Sequence, residues 1–118
     1  MKILVVDDEE LDLFINKKLL SLEFDTTGFT SSKDALHWAQ QHDFDVAVID
    51  YYLGPGIFAV NLLDELIAIK GQTFKAFAVS NYVDEKQTAD LRRSGFVDII
   101  YKPLTLETFK MKLIMLGL

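Results

Sequence analysis

Acidic, hydroxyl and ammonium side chains follow the apolar runs of this chain. Four acidic residues, Asp7 to Glu10, follow the first run, Asp50 ends the third, Ser80 ends the fourth and Lys102 follows the fifth. Carboxylates gathered at one place repel one another, so at least one pKa would rise. A hard divalent cation relieves that repulsion, and all-oxygen ligands with open water positions suit Mg²⁺. The residue types therefore predict a metal site built from aspartates.

The same residues could also carry phosphoryl chemistry. Phosphoryl transfer depends mainly on positioning and on neutralising charge. Asp50 can hold a metal and still keep one carboxylate oxygen free as a nucleophile. Lys102 supplies a positive charge and Ser80 a hydroxyl, while Asp7 and Asp8 complete the acidic cluster. The residues alone predict a metal-assisted phosphoryl acceptor site.

Two alternating periods in the apolar pattern predict the elements that position these residues. Short apolar runs predict five strands, at residues 3–6, 26–29, 46–49, 74–79 and 96–100. Segments with helical spacing predict five helices, which begin near residues 11, 31, 57, 84 and 105, and a Gly-Pro-Gly turn at 54–56 follows the third strand. The first helix is expected to bury one apolar face, formed by Leu11, Phe14 or Ile15, Leu19 and Leu22.

This strict alternation predicts an α/β fold: a doubly wound, five-stranded parallel sheet of (βα)5 type with helices on both faces. Strands that are buried on both faces are uniformly apolar, and four of the five runs are. Open parallel sheets bind ligands beyond the carboxyl ends of their strands. Asp7, Asp50, Ser80 and Lys102 each follow such an end, so the fold is expected to bring them together.

The length, composition and charge of the chain exclude several classes of function. The chain has 118 residues, and we expect one domain over residues 1–118. Twelve basic and eighteen acidic residues give a net charge of −6, which argues against direct binding to nucleic acid or to a membrane surface. Cysteine is absent, which excludes disulfides and thiolate metal sites. Without a signal peptide or a long apolar run, a cytoplasmic location is expected.

The spacing of Asp7, Asp8, Asp50, Ser80 and Lys102, which Pro103 follows, resembles the receiver domain of two-component response regulators, the CheY-like superfamily. The resemblance extends from Met1 to the last helix and implies a flavodoxin-like fold. It implies a phosphoprotein in a phosphorelay: Asp50 would accept a phosphoryl group from a sensor histidine kinase or a phosphotransfer protein and become an aspartyl phosphate.

The resemblance also assigns roles to individual residues. Asp8 would bind Mg²⁺ directly and Asp7 through water, and the backbone carbonyl of Tyr52 would be a further ligand. Ser80 and Lys102 would contact the phosphoryl oxygens. The implied catalytic residues are Asp50, Ser80 and Lys102, and the implied metal ligands are Asp7, Asp8, Asp50 and Tyr52.

The implied function is a switch rather than an enzyme with an external substrate. The domain would catalyse only its own phosphorylation and dephosphorylation. Phosphorylation would change the surface formed by the fourth helix, the fifth strand and the fifth helix, and so control a C-terminal output domain or a separate effector protein.

Two departures from the family pattern bear on that switch. Residues 54–58 read Gly-Pro-Gly-Ile-Phe, where the family usually has a proline and then an Asp-Gly pair, so Ile57 and Phe58 could be core residues or an exposed patch. Ile99 stands where the family has an aromatic ring that moves inward on activation. We therefore expect a muted switch, concentrated in residues 80–90, unless Tyr82 or Tyr101 takes over the role of that ring.

The sequence leaves one alternative function open and argues against two others. A receiver-like interaction module that works without phosphorylation is the main alternative, and the two departures motivate it. A phosphatase of the aspartyl-nucleophile type needs an Asp-x-Asp pair directly after a strand and usually a cap domain, and neither is expected here. A mononucleotide binder needs backbone amides of small residues after the first strand, where four acids stand instead.

Overall fold

The computed structural model describes residues 1–118 as five alternating strand and helix units with one small hairpin. The strands are β1 (Lys2–Val6), β2 (Asp25–Phe29), β3 (Val46–Asp50), β4 (Tyr52–Gly54), β5 (Ile57–Phe58), β6 (Lys75–Ser80) and β7 (Asp98–Tyr101). The helices are α1 (Glu10–Leu20), α2 (Ser32–Ala39), α3 (Ala59–Lys70), α4 (Glu85–Ser94) and α5 (Leu106–Met115). No helix is both long enough and apolar enough to cross a membrane.

Five strands form one parallel sheet in the order β2-β1-β3-β6-β7, which confirms the predicted fold class. Buried side chains fill two cores, one on each face of the sheet. The larger core includes residues of α2, α3 and α4, and the smaller core includes residues of α1 and α5. Because β3 lies at the centre and is buried along its whole length, it holds Asp50 in the interior of the protein.

The prediction for the inward face of α1 was mostly wrong, since of its residues Leu19 alone packs against the smaller core. Leu11, Phe14, Ile15 and Leu22 all lie outward, with exposed fractions between 51% and 74%. The sheet-facing side carries Leu20, which is buried, and Leu13, which packs against the smaller core. Both sides of this helix are apolar at helical spacing, so periodicity alone does not select the buried one.

Gly28 on β2 explains the orientation that α1 adopts. A Cβ atom at this position would lie 2.8 Å from Cδ1 of Leu13, closer than real Cβ contacts. The missing side chain lets the helix approach the strand with Leu13 inserted. The opposite face of the helix, which we call the α1 stripe (Leu11, Phe14, Ile15 and Leu22), is left in solvent.

The segment after β3 also differs in detail from the prediction. The expected turn at residues 54–56 is present, and Gly54 and Gly56 adopt positive φ angles of 136° and 75°, which favour glycine. The third helix was predicted to begin at Ile57, but Ile57 and Phe58 form β5, which pairs in antiparallel fashion with β4. Both residues are exposed. The helix begins two residues later because the Asn61 side chain accepts a hydrogen bond from the Phe58 N–H at 2.8 Å.

Candidate functional site

The carboxyl ends of β1, β3, β6 and β7 meet at one edge of the sheet, because their strands pair in parallel and in register. A depression of ≈ 350 Å³ opens there, and its lining includes Asp8, Asp50, Tyr52, Ser80 and Lys102. Five of the six predicted site residues therefore line one surface. The sixth, Asp7, is buried beside them.

Three aspartates form a compact cluster in this depression. One carboxylate oxygen from each of Asp7, Asp8 and Asp50 lies within 4.8 Å of the others. Asp7 and Asp50 are buried, with exposed fractions of 2% and 7%, while Asp8 is half-buried. Buried strand ends thus hold two carboxylates away from water, and a partly solvated third approaches them.

The cluster raises the proton affinity of its own carboxylates. Burial raises the pKa of Asp7 to about 6, and the nearby charge of Asp50 acts in the same direction. A hydrogen bond from the Glu9 N–H to Oδ1 of Asp7, at 3.0 Å, partly offsets these effects. Burial also raises the pKa of Asp50, although Lys102 opposes that shift. Ionised together, these groups destabilise the folded state, and an added cation would remove the penalty.

Lys102 supplies the nearest positive charge. Its Nζ lies 3.0 Å from Oδ1 of Asp50 and 3.7 Å from Oδ2 of Asp12. Burial of Lys102 is the largest single effect and acts to lower its pKa, but the hydrogen bond to Asp50 and the charges of Asp50, Asp7 and Asp12 together outweigh burial, so the pKa of Lys102 is raised. Lys102 therefore stays protonated beside the proposed nucleophile.

Asp12 was not among the predicted site residues. It lies in the first turn of α1, four residues after Asp8, and it reaches the same lysine. Its place in the first turn of the helix that follows the acidic run was the signal that could have identified it.

Ser80 lines the depression but does not contact Asp50. Its hydroxyl donates to the Tyr82 carbonyl at 3.1 Å and accepts from the Tyr82 N–H at 3.3 Å. The hydroxyl is therefore bonded within its own loop. Any contact between Ser80 and a group on Asp50 requires these two bonds to rearrange.

Aromatic side chains border the depression. Tyr52 and Tyr82 are exposed and line it, and the Tyr52 ring packs edge-on against Phe58 with a centroid distance of 5.8 Å. Ile99 is buried, with an exposed fraction of 5%, in the larger core. Tyr101, like Tyr82, is exposed.

Residues 3–114 match the family model of the response regulator receiver domain. The chain belongs to this family. A comparison with curated proteins finds no match.

Solved structures of receiver domains show the same fold. A CheY-like receiver domain from Methylobacillus flagellatus is 26% identical, with a TM-score of 0.84, over 98% of this chain and 97% of that chain. One from Methanospirillum hungatei is 23% identical, with a TM-score of 0.82, over 98% and 95%. A response regulator from Burkholderia pseudomallei, solved with a phosphorylated aspartic acid, a calcium ion and citrate, is 19% identical with a TM-score of 0.78; the match covers 92% of this chain and 64% of that one.

The raised pKa of Asp7 predicts how the stability of the metal-free domain depends on pH. Because the folded-state pKa of about 6 exceeds the ordinary value, the folded domain takes up a proton before the unfolded chain as the pH falls. The free energy of unfolding should therefore rise as the pH falls from about 7 to about 5. Asp7→Asn should add about 1–2 kcal/mol at about pH 7 and flatten the pH dependence.

Denaturant unfolding in the presence of a chelator tests this expectation. Asp25→Asn is the control, because Asp25 is an exposed carboxylate at the opposite end of the sheet. The cluster is not the source of the destabilisation if Asp7→Asn leaves the pH dependence of the wild-type domain unchanged.

Proposed function

We propose that this receiver domain accepts a phosphoryl group on Asp50 in a Mg²⁺-dependent reaction and acts as a signalling switch. The observation that carries the proposal is the three-aspartate cluster with Lys102 3.0 Å from Asp50. This arrangement combines a nucleophilic oxygen, a set of ligands for a hard cation and a fixed positive charge. Together these are the requirements of phosphoryl transfer.

The proposed reaction moves one phosphoryl group from a donor histidine to Asp50. A lone pair on a carboxylate oxygen forms the new P–O bond while the donor P–N bond breaks, and its electron pair returns to the imidazole nitrogen. Lys102 stabilises the charge on the transferring group, since it is already placed and protonated. In dephosphorylation, water attacks phosphorus, and the P–O bond breaks to release phosphate and the free carboxylate. No external substrate is turned over.

The proposed Mg²⁺ ligands are the carboxylates of Asp7, Asp8 and Asp50 and the backbone carbonyl of Tyr52. All four are oxygen donors, as a hard cation prefers. The raised pKa of Asp7 supports the assignment, because a divalent cation would relieve the penalty of the ionised cluster. When bound, the ion supplies further neutralisation of charge on the phosphoryl group. The Burkholderia pseudomallei relative, which was solved with both a phosphorylated aspartic acid and a calcium ion, supports a divalent metal as the partner of this chemistry.

Phosphorylation is proposed to act through Ser80 and α4. The phosphoryl group adds almost two negative charges next to Lys102. A Ser80 hydroxyl that turns toward it exchanges a neutral hydrogen bond for a charge-assisted one, a gain of about 1–2 kcal/mol. This rearrangement releases the Tyr82 carbonyl and moves the loop that leads into α4. The surface of α4, β7 and α5 changes, and an attached output domain or a separate effector protein responds.

The alternative is a receiver-like interaction module that works without phosphorylation. Two observations favour it: Ile99 already fills its place in the core, and the β4–β5 hairpin reshapes the surface next to Asp50. Phosphoryl labelling of Asp50 distinguishes the phosphorylated switch from the interaction module.

The α1 stripe supports a protein as the phosphodonor. Leu11 and Phe14 lie in the first turns of α1, whose start adjoins the acceptor edge through Asp12 and Lys102. A donor histidine must reach Asp50 at this edge, and a donor protein bound there would cover the start of α1. Exposed apolar residues at helical spacing are typical of a surface that packs against a helix. We propose that a helical surface of the kinase or phosphotransfer protein binds here.

A first prediction concerns the acceptor. Incubation with acetyl phosphate and Mg²⁺ should add one phosphoryl group, about 80 Da by intact mass, since Asp50 is the one member of the three-aspartate cluster that pairs with Lys102. Asp50→Ala should abolish the label, and Asp64→Ala, at an exposed position on α3, should retain it. A label that persists in Asp50→Ala would place the acceptor elsewhere.

A second prediction concerns the metal. Millimolar Mg²⁺ should shift the backbone amide NMR signals of residues 7–10 and 50–53, because the proposed ligands lie in these two segments. Asp8→Asn should lower the Mg²⁺ affinity obtained from these shifts by about tenfold or more, since it removes a direct ligand. The metal site is contradicted if these signals do not move in the wild-type domain.

A third prediction concerns the donor. Phe14→Asp should slow transfer from a protein donor by about tenfold or more, because it places a charge in the proposed interface. Labelling by acetyl phosphate should be unchanged, since the acceptor site is intact. Ile114→Asp, at another exposed apolar position, on α5, is the matched control. Equal transfer rates to Phe14→Asp and wild type would remove the α1 stripe from the donor interface.

A further inference from the structure

Helix α4 is only lightly attached to the rest of the domain. Of its ten residues, Leu91 alone is buried. Its first turn is closed by a capping box between Asp84 and Gln87. Single contacts at this end of the helix therefore carry a large share of its attachment, and one of them reaches Tyr51, the residue directly after Asp50.

Gln87 joins the cap of α4 to Tyr51. The side-chain Oε1 of Gln87 accepts from the backbone N–H of Asp84 at 2.9 Å, and the backbone N–H of Gln87 donates to Oδ1 of Asp84 at 2.7 Å. The side-chain nitrogen of Gln87, Nε2, takes no part in the cap. It donates to the Tyr51 hydroxyl oxygen at 3.3 Å. Because the amide oxygen is already committed to an N–H donor, the direction of the bond to Tyr51 is fixed.

Tyr51 is itself held firmly to the sheet. Its N–H donates to the Val79 carbonyl and its carbonyl accepts from the Ala59 N–H, both at 2.8 Å. The half-buried ring packs against the larger core and lies edge-on to Phe58, with a centroid distance of 5.7 Å. A rigid residue of the acceptor segment thus tethers the start of a loosely held helix.

We propose that the Tyr51 hydroxyl holds α4 in its unphosphorylated position and so sets the threshold of the switch. The inference rests on the proposed function. When the loop from Ser80 to Asp84 moves toward a phosphoryl group, Gln87 moves with the cap while Tyr51 stays on the sheet. The hydrogen bond between Tyr51 and Gln87 forms only in the unphosphorylated state. It therefore stabilises that state relative to the phosphorylated one and opposes activation.

This role accounts for a switch in a domain that has Ile99 in place of a mobile ring. Ile99 is buried in the larger core with Val83 and Leu91 and needs no rearrangement to fill its space. The position of α4 is then decided by polar contacts at its first turn rather than by an aromatic side chain of β7. Tyr51 is a positioning residue in this account, since it acts through Gln87 and not on the phosphoryl group.

Tyr51→Phe isolates the tether, because it removes one oxygen and keeps the ring against Phe58. In the unliganded domain, the amide signals of residues 84–88 and the Gln87 side-chain signals should shift. The affinity for beryllofluoride, a phosphoryl mimic, should rise about three- to tenfold at constant Mg²⁺, which is the range expected for loss of one neutral hydrogen bond. Amide NMR spectra of the wild type and of Tyr51→Phe serve to check that the variant is folded.

Tyr101→Phe is the matched control. It removes a tyrosine hydroxyl from an exposed ring on β7, outside the acceptor depression, that makes no side-chain hydrogen bond. Its affinity for the mimic should equal that of the wild type. In a Gln87→Ala background, Tyr51→Phe should cause no further change, since the partner of the hydroxyl is already gone.

The outcomes separate this inference from the function on which it rests. If the wild-type domain does not bind beryllofluoride with Mg²⁺, the proposed function and the tether both fail. If it binds, and Tyr51→Phe changes neither the affinity nor the signals of residues 84–88, the tether alone is overturned. A rise in affinity that persists in the Gln87→Ala background would also overturn it, because the effect would not pass through Gln87.

Discussion

Electrostatic crowding at one edge of the sheet is the constraint on which the rest of the structure depends. Asp7, Asp8 and Asp50 lie together, Asp12 approaches from α1, and Lys102 is the one cation in contact with them. The folded domain therefore holds an excess of negative charge in a partly buried place, and Asp7 shows the cost in its raised pKa. A site of this kind is stabilised by an added cation, which is the basis of the proposed Mg²⁺-dependent phosphoryl transfer.

The parallel sheet explains why this crowding is tolerated and where it occurs. Strand ends that pair in register must bring their following residues to one edge, and burial of β3 on both faces leaves Asp50 no route to solvent other than the depression. The two cores around the sheet supply the stability that offsets the charge cluster. The candidate acceptor site thus lies at the ends of the strands and in the loops that follow them, and the rest of the sheet and the helices hold those loops in place.

The sequence was sufficient to predict the sheet and the meeting of Asp7, Asp8, Asp50, Ser80 and Lys102 at its strand ends, because both depend on where the short apolar runs end. It was insufficient for α1, where two apolar faces compete and Gly28 decides between them through a contact 15 residues away in sequence from Leu13. It was also insufficient for Asp12, for the bonds between Ser80 and Tyr82, and for the contact between Tyr51 and Gln87. Those features depend on rotamers and on loop paths, which no periodicity encodes.

The most direct test of the central claim is a carboxyl ¹³C NMR titration of the wild-type domain, with and without Mg²⁺. The account predicts that Asp7 titrates with a pKa of about 6 in the metal-free domain. It further predicts that saturating Mg²⁺ lowers this pKa substantially, since the cation stabilises the ionised cluster. An Asp7 that titrates near the ordinary value of about 4 without metal, or that does not respond to Mg²⁺, would contradict the account.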